Sequence, residues 1–136
     1  MPTNEIYTEW IKYAEGDLDV AKHITTMSKP NIEISCYHCQ QCAEKALKAF
    51  LIFNNTKPKY IHDLVILCND CQAIEDAFTE LTDYCYVLNQ HITHTRYPSP
   101  VELNEEDMKQ SLDFAEKILV FVKEKTRWHL KAFIPF

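Results

Sequence analysis

The chain has 136 residues, of which 46% are apolar, so it is long enough to bury one hydrophobic core and to fold as a single domain over residues 1–136. Acidic residues outnumber basic ones by 20 to 14, and the net charge of −6 argues against non-specific coating of nucleic acid or of anionic membranes. The single glycine excludes the glycine-rich phosphate loops of dinucleotide-binding and Walker-type folds and disfavours an all-β architecture.

Apolar residues recur at every third or fourth position through most of the chain, which predicts a series of amphipathic helices. Prolines and asparagines separate the periodic segments, and Asn104 followed by three acidic residues is typical of a helix start. The predicted helices span about 4–27, 32–53, 61–71, 74–92 and 104–126, with a compact connection at 95–100 and an apolar C-terminal tail at 127–136. This order predicts an all-α fold, an antiparallel up-and-down bundle of four to five helices.

The N-terminus and the apolar runs bear on the cellular compartment. No run approaches the roughly 18 apolar residues of a membrane span, and the N-terminus lacks the basic and apolar regions of a signal peptide. We therefore expect a cytoplasmic protein with reduced thiols and no membrane contact.

Five of the six cysteines show a spacing that metal sites also use. The segment Cys36–Cys42 and the pair Cys68 and Cys71 repeat the C-x2-C pattern of zinc and iron–sulfur sites. These cysteines lie within helical stripes rather than on turns, which favours burial as small apolar side chains over metal binding or a redox role. His91 and His94 lack the acidic neighbour of a zinc-protease motif, so we predict no metal and no cofactor.

Basic residues are concentrated in one region of this acidic chain. Positions 45 to 63 carry four lysines and one acid: Lys45, Lys48, Lys57, Lys59 and Asp63. The cluster predicts either an anion site or simply a solvated helix and loop.

Arg96 is one of two arginines and lies in a proline-bounded segment. Together with His91 and His94 it is a candidate donor cluster for phosphate, because its planar fork suits phosphate oxygens. The alternative is a structural ion pair with Asp63 or Glu44.

Three motifs resemble those of a known family. The segment YHCQQCAEKALKAFL, from Tyr37 to Leu51, resembles the signature second helix of the HEPN family. The run Ile61-His62-Asp63-Leu64 resembles the start of its third helix, and Arg96-Tyr97-Pro98 resembles its Arg-Tyr-Pro loop. The resemblance covers nearly the whole chain in the family's order and identifies a HEPN domain of the Arg-Tyr-Pro subgroup.

The resemblance implies a helical bundle, commonly dimeric, with a groove associated with nucleotides or RNA. Many members are encoded beside a small nucleotidyltransferase that acts as antitoxin. Some are metal-independent endoribonucleases, in which a histidine follows an arginine after four to six residues. Here the corresponding positions hold Val101, Glu102 and Leu103. The histidine is therefore missing, and the candidate substitutes are His94 and Glu102.

We therefore expect a homodimeric protein that binds a nucleotide or single-stranded RNA and partners a small nucleotidyltransferase in a toxin–antitoxin-like pair. The alternatives are a metal-independent endoribonuclease toxin that uses Arg96 with His94 or Glu102, and a non-catalytic subunit whose lysine-bearing helix binds another protein. The predicted phosphate-binding residues are Lys45, Lys48, His62, Asp63, Arg96 and Tyr97.

Overall fold

Helices account for most of the residues that the structure describes. The computed structural model describes residues 3–96 and 102–131, with side chains over 6–92 and 102–126. Within these ranges there is no strand, which confirms the predicted all-α bundle. The elements are α1 Thr3–Thr25, α2 Ile32–Phe53, α3 Leu64–Ile74, a 3-10 helix Asp76–Leu81, α4 Thr82–Arg96 and α5 Glu105–Lys131.

Local capping interactions explain where the helices begin. The Asn31 side chain accepts a hydrogen bond from the Ile34 amide at the start of α2. Asn104 and Asp107 form a reciprocal pair, in which each backbone amide donates to the other residue's side chain at 2.9 Å. The predicted starts of α2 and α5 are therefore confirmed.

Four helix boundaries differ from the sequence prediction. Helix α3 begins at Leu64 rather than near Ile61, because the Asp63 carboxylate caps it by accepting from the amides of Val65 and Ile66. The segment predicted as one helix from 74 to 92 divides into the 3-10 helix and α4. Helices α4 and α5 also continue further than predicted, to Arg96 and to Lys131.

The core lies around α2, which packs against the other four α-helices. Three aromatic rings connect α2 to the 3-10 helix and α5, with Phe78 at 4.3 Å from Phe50 and 4.9 Å from Phe121 between ring centroids. All six cysteines are buried and unpaired, which confirms the prediction that they pack as small apolar side chains. Burial raises the pKa of the Cys42 thiol to about 12.

The described residues contain neither a metal-binding cluster nor a membrane-spanning helix. No group of three or more histidine, cysteine, aspartate or glutamate side chains is arranged to hold a metal ion there. In the same ranges no helix is both long and apolar enough to cross a membrane.

The connection between α2 and α3, residues 54–63, runs back along α2, and we refer to it as the crossing segment. Helix α2 ends with Asn55 in the left-handed conformation, φ 57°, while the amides of Asn55 and Thr56 donate to the carbonyls of Ile52 and Leu51. At the other end of the segment the Gln40 side chain donates to the His62 carbonyl at 2.7 Å. Residue 62 thus meets α2 near Gln40, and further along α3 the Cys71 thiol donates to the Leu47 carbonyl, so helices α2 and α3 run in the same direction.

Candidate functional site

Glu44 is the centre of a buried polar network on α2. Its side chain is only 6% exposed, and its two oxygens have different partners. Oε2 accepts from Lys48 Nζ at 3.1 Å, and Oε1 lies 2.9 Å from His62 Nδ1. Since an ionised carboxylate only accepts hydrogen bonds, the His62 Nδ1–H is the donor in that pair.

The helical spacing of α2 brings the network together. Residues four apart lie above one another on a helix, which places Glu44 between Gln40 and Lys48. Gln41 Nε2 donates to Gln40 Oε1 at 2.8 Å and lies 3.4 Å from Glu44 Oε1. Gln40 itself is buried and holds the crossing segment through the His62 carbonyl. The network therefore fixes both the backbone and the ring of His62.

His62 is the part of the network that reaches solvent. Its side chain is 64% exposed, whereas the Lys48 side chain is 9% exposed. With Nδ1 bonded to Glu44, the remaining ring nitrogen, Nε2, is available to a ligand. A histidine held by a buried carboxylate can donate a charge-assisted hydrogen bond to an anion or transfer a proton.

The two lysines predicted to bind phosphate are already paired with acids. Lys48 Nζ pairs with Glu44 and also lies 5.9 Å from the centroid of the Trp10 ring. Lys45 Nζ lies 2.6 Å from Asp17 Oδ2 on α1. A phosphate would have to compete with these carboxylates for either ammonium group.

Asp63 has a structural position between α3 and α4. Besides capping α3, its Oδ1 accepts from Asn89 Nδ2 at 2.9 Å, and Asn89 Oδ1 accepts from the Leu64 amide at 3.0 Å. Asp63 is therefore held by the start of α3 and by Asn89 of α4. The backbone of α4 continues for seven residues beyond Asn89, about 10 Å, and ends at Arg96.

Only part of the predicted donor cluster near Arg96 can be located. The side chains of His94 and Arg96, and all of Tyr97, lie outside the described residues. His91 is buried between α4 and α5, where Nδ1 lies 2.5 Å from Ser111 Oγ and Nε2 lies 3.8 Å from Asp107 Oδ1. Glu102, the other candidate acid–base residue, is exposed.

Glu44 and the two glutamines are the site residues that sequence reasoning missed. The sequence predicted Glu44 only as a possible ion-pair partner of Arg96. Gln40 and Gln41 were part of the motif, and no role was predicted for their side chains. The available signal was the spacing itself, since a Gln-Gln-x-x-Glu-x-x-x-Lys pattern places four polar side chains along one edge of a helix.

Comparisons with known proteins agree with this architecture. The family model described as "HEPN domain" matches residues 7–125. A protein of Methanocaldococcus jannaschii named "Putative toxin MJ1304" is 32% identical over 139 residues, which cover 90% of each chain. Among solved structures, ST0689, described as an archaeal HEPN homologue, superimposes with a TM-score of 0.69 at 28% identity, covering 88% of this chain and 97% of its own. TT1696 from Thermus thermophilus gives a TM-score of 0.75 at 27% identity with the same coverage.

Proposed function

The chain belongs to the HEPN domain family, and on that premise we propose that it is a toxin-type HEPN protein that binds the phosphates of a nucleotide or of single-stranded RNA. The observation that carries the proposal is the contact between Glu44 Oε1 and His62 Nδ1 at 2.9 Å. It joins a buried acid to an exposed imidazole, so an incoming anion meets an oriented donor.

The proposed binding site extends from His62 toward the end of α4. His62 supplies its free Nε2, and Glu44 orients the ring through Nδ1. Lys48 and Asp63 act as positioning residues, one within the network and the other at the start of α3. Arg96 and Tyr97 complete the site in this proposal by binding phosphate and by stacking on a base. Lys45 contributes if phosphate displaces Asp17.

The finer features of the family remain part of the same proposal. We place the chain in the Arg-Tyr-Pro subgroup on the run Arg96-Tyr97-Pro98. We further propose a single HEPN domain over residues 1–136 that forms a homodimer in the cytoplasm, with a small nucleotidyltransferase as its antitoxin partner. The name of the Methanocaldococcus relative supports the toxin assignment.

Orientation of His62 by Glu44 favours a second candidate function, metal-independent ribonuclease activity. The family's histidine after Arg96 is absent, but a carboxylate-bound imidazole with one free nitrogen is suited to proton transfer at a ribose 2′-hydroxyl or a leaving oxygen. In that case His62 replaces His94 and Glu102 as the acid–base residue, and Arg96 stabilises the charge on the pentavalent phosphorus.

The experiment that tests both candidates measures binding and cleavage in one reaction. Purified protein is titrated against a fluorescently labelled single-stranded RNA of about 20 nucleotides and against ATP, at two salt concentrations, and the RNA is then separated on a denaturing gel. We expect binding that weakens with salt, because phosphate contacts release counterions. His62→Ala and Arg96→Ala should each weaken binding about ten-fold, the typical effect of losing one charge-assisted hydrogen bond.

A matched control is available on α1. His23 is exposed near the end of that helix, so His23→Ala removes an imidazole without touching the Glu44 network. Intact RNA with binding lost in His62→Ala supports the binding function, whereas cleavage lost in the same variant supports the ribonuclease. Binding that is equal in His62→Ala, His23→Ala and the unaltered protein would rule out the proposed site.

A further inference from the structure

The crossing segment carries an exposed aromatic ring between basic side chains. Tyr60 is 94% exposed and makes no hydrogen bond or ring contact with any other described residue. Its neighbour Ile61 packs against the core, while His62 on the other side of Ile61 is largely exposed. The backbone is therefore held at Ile61 by packing and at the His62 carbonyl by Gln40, and the Tyr60 ring lies on the solvent side.

The charge around this ring is positive, in contrast to the acidic chain as a whole. Lys57 is exposed and forms no ion pair within the described part of the chain, and Lys59 is more than half exposed although it lies 3.3 Å from Asp70. The one acid of the segment, Asp63, is engaged, since its Oδ1 accepts from the amides of Val65 and Ile66 and from Asn89. The surface thus offers cations to an anionic ligand.

We propose that the crossing segment is a binding subsite for single-stranded RNA, in which a base stacks on Tyr60 while adjacent phosphates contact Lys57, Lys59 and His62. Flat aromatic rings flanked by cations are the common chemistry of single-strand binding, because every base has a face that can stack and every nucleotide carries a phosphate. An apolar protein ligand fits this surface less well, since the exposed side chains that flank Tyr60 in the segment are Lys57, Lys59 and His62. The inference rests on the proposed function and adds the element that holds the strand beside His62.

The test compares RNA with an oligomer that lacks bases. Fluorescence anisotropy measures the Kd of a labelled single-stranded RNA of about 12 nucleotides and of a ribose-phosphate oligomer of equal length without bases. We expect Tyr60→Ala to weaken RNA binding about ten-fold, the loss of one stacked base, and to leave binding of the base-free oligomer unchanged. Tyr60→Phe keeps the ring and should bind RNA like the unaltered protein.

Two control variants separate stacking from general effects. Tyr86 on α4 is 59% exposed, so Tyr86→Ala removes a comparable ring elsewhere and should not change the Kd. Lys57→Ala should reduce the slope of log K against log salt by about 0.7, the value for one phosphate contact on a single strand. Tyr60→Ala should leave that slope unchanged.

The outcomes distinguish this subsite from the function on which it rests. If the unaltered protein binds RNA and His62→Ala weakens binding but Tyr60→Ala does not, the subsite is wrong and the proposed function stands. Equal losses for RNA and for the base-free oligomer would show that Tyr60 does not stack and would also overturn the subsite. A change of oligomeric state in Tyr60→Ala with unaltered RNA affinity would identify a protein contact instead. Absence of RNA binding by the unaltered protein would overturn both proposals.

Discussion

Replacement of Glu44 by glutamine is the most informative perturbation of the site. The change preserves the shape of the side chain but removes the charge that faces Lys48, at 3.1 Å, and His62, at 2.9 Å. The Lys48 side chain is only 9% exposed, so its ammonium group would remain buried without an anionic partner. Breaking a buried ion pair by removing one partner costs about 3–5 kcal/mol. We expect a loss near the lower end, about 3 kcal/mol, because the Trp10 ring still contacts the ammonium.

Urea denaturation of the purified protein, followed by circular dichroism, measures this loss as a shift in the midpoint with an unchanged slope. The double variant Glu44→Gln with Lys48→Met is the essential comparison. It removes the stranded charge and should recover most of the lost stability, because a buried ion pair contributes little net energy over apolar side chains. A loss below about 1 kcal/mol in Glu44→Gln, or no recovery in the double variant, would refute the view that Glu44 compensates a buried cation.

Three further predictions concern stability. Gly16→Ala should raise the free energy of unfolding by about 1 kcal/mol in urea titrations, because alanine has a higher helix propensity than glycine. The position is exposed on α1, and an added Cβ meets nothing within 4 Å. An unchanged or lower free energy of unfolding would contradict this. Asn104→Ala should cost about 1 kcal/mol by removing the cap of α5, whereas Asn69→Ala, an exposed change inside α3, should cost little. The raised pKa of Cys42, about 12 against an ordinary 9, means that the unfolded thiol ionises first. Stability should therefore fall as pH rises above 9, by about 1 kcal/mol from pH 9 to 10 for this thiol, and Cys42→Ala should show a smaller fall in pH-dependent denaturation.

Local signals made most of the helices predictable from the sequence. Asn31 and Asn104 predict helix starts because an N-cap needs only a side chain and the backbone amides that follow it. Asn54 and Asn55 predict the end of α2, since asparagine tolerates the left-handed conformation found at Asn55. The predicted start of α3 is too early because Ile61 continues the apolar periodicity, although it packs from a non-helical segment.

The candidate site was less predictable because its members meet only through tertiary structure. His62 and Glu44 are 18 residues apart in sequence. No local pattern in either segment predicts that the connection after α2 turns back along that helix. The burial of Lys48 was also unpredictable, because a Glu-x-x-x-Lys spacing is usually a solvated ion pair on a helix surface. Here the Lys48 side chain is buried, with its ammonium group between Glu44 and the Trp10 ring of α1.

The return of the crossing segment along α2 also makes their lengths interdependent. Its two ends are fixed, one by the left-handed turn at Asn55 and the other by the cap at Asp63. Adding one turn to the C-terminal end of α2 would move the first anchor about 5.4 Å further from His62, which an extended chain regains with about two residues. Relatives with a longer second helix should therefore carry a matching insertion in this segment. The requirement to keep Glu44 in contact with His62 thus limits which insertions and deletions are tolerated.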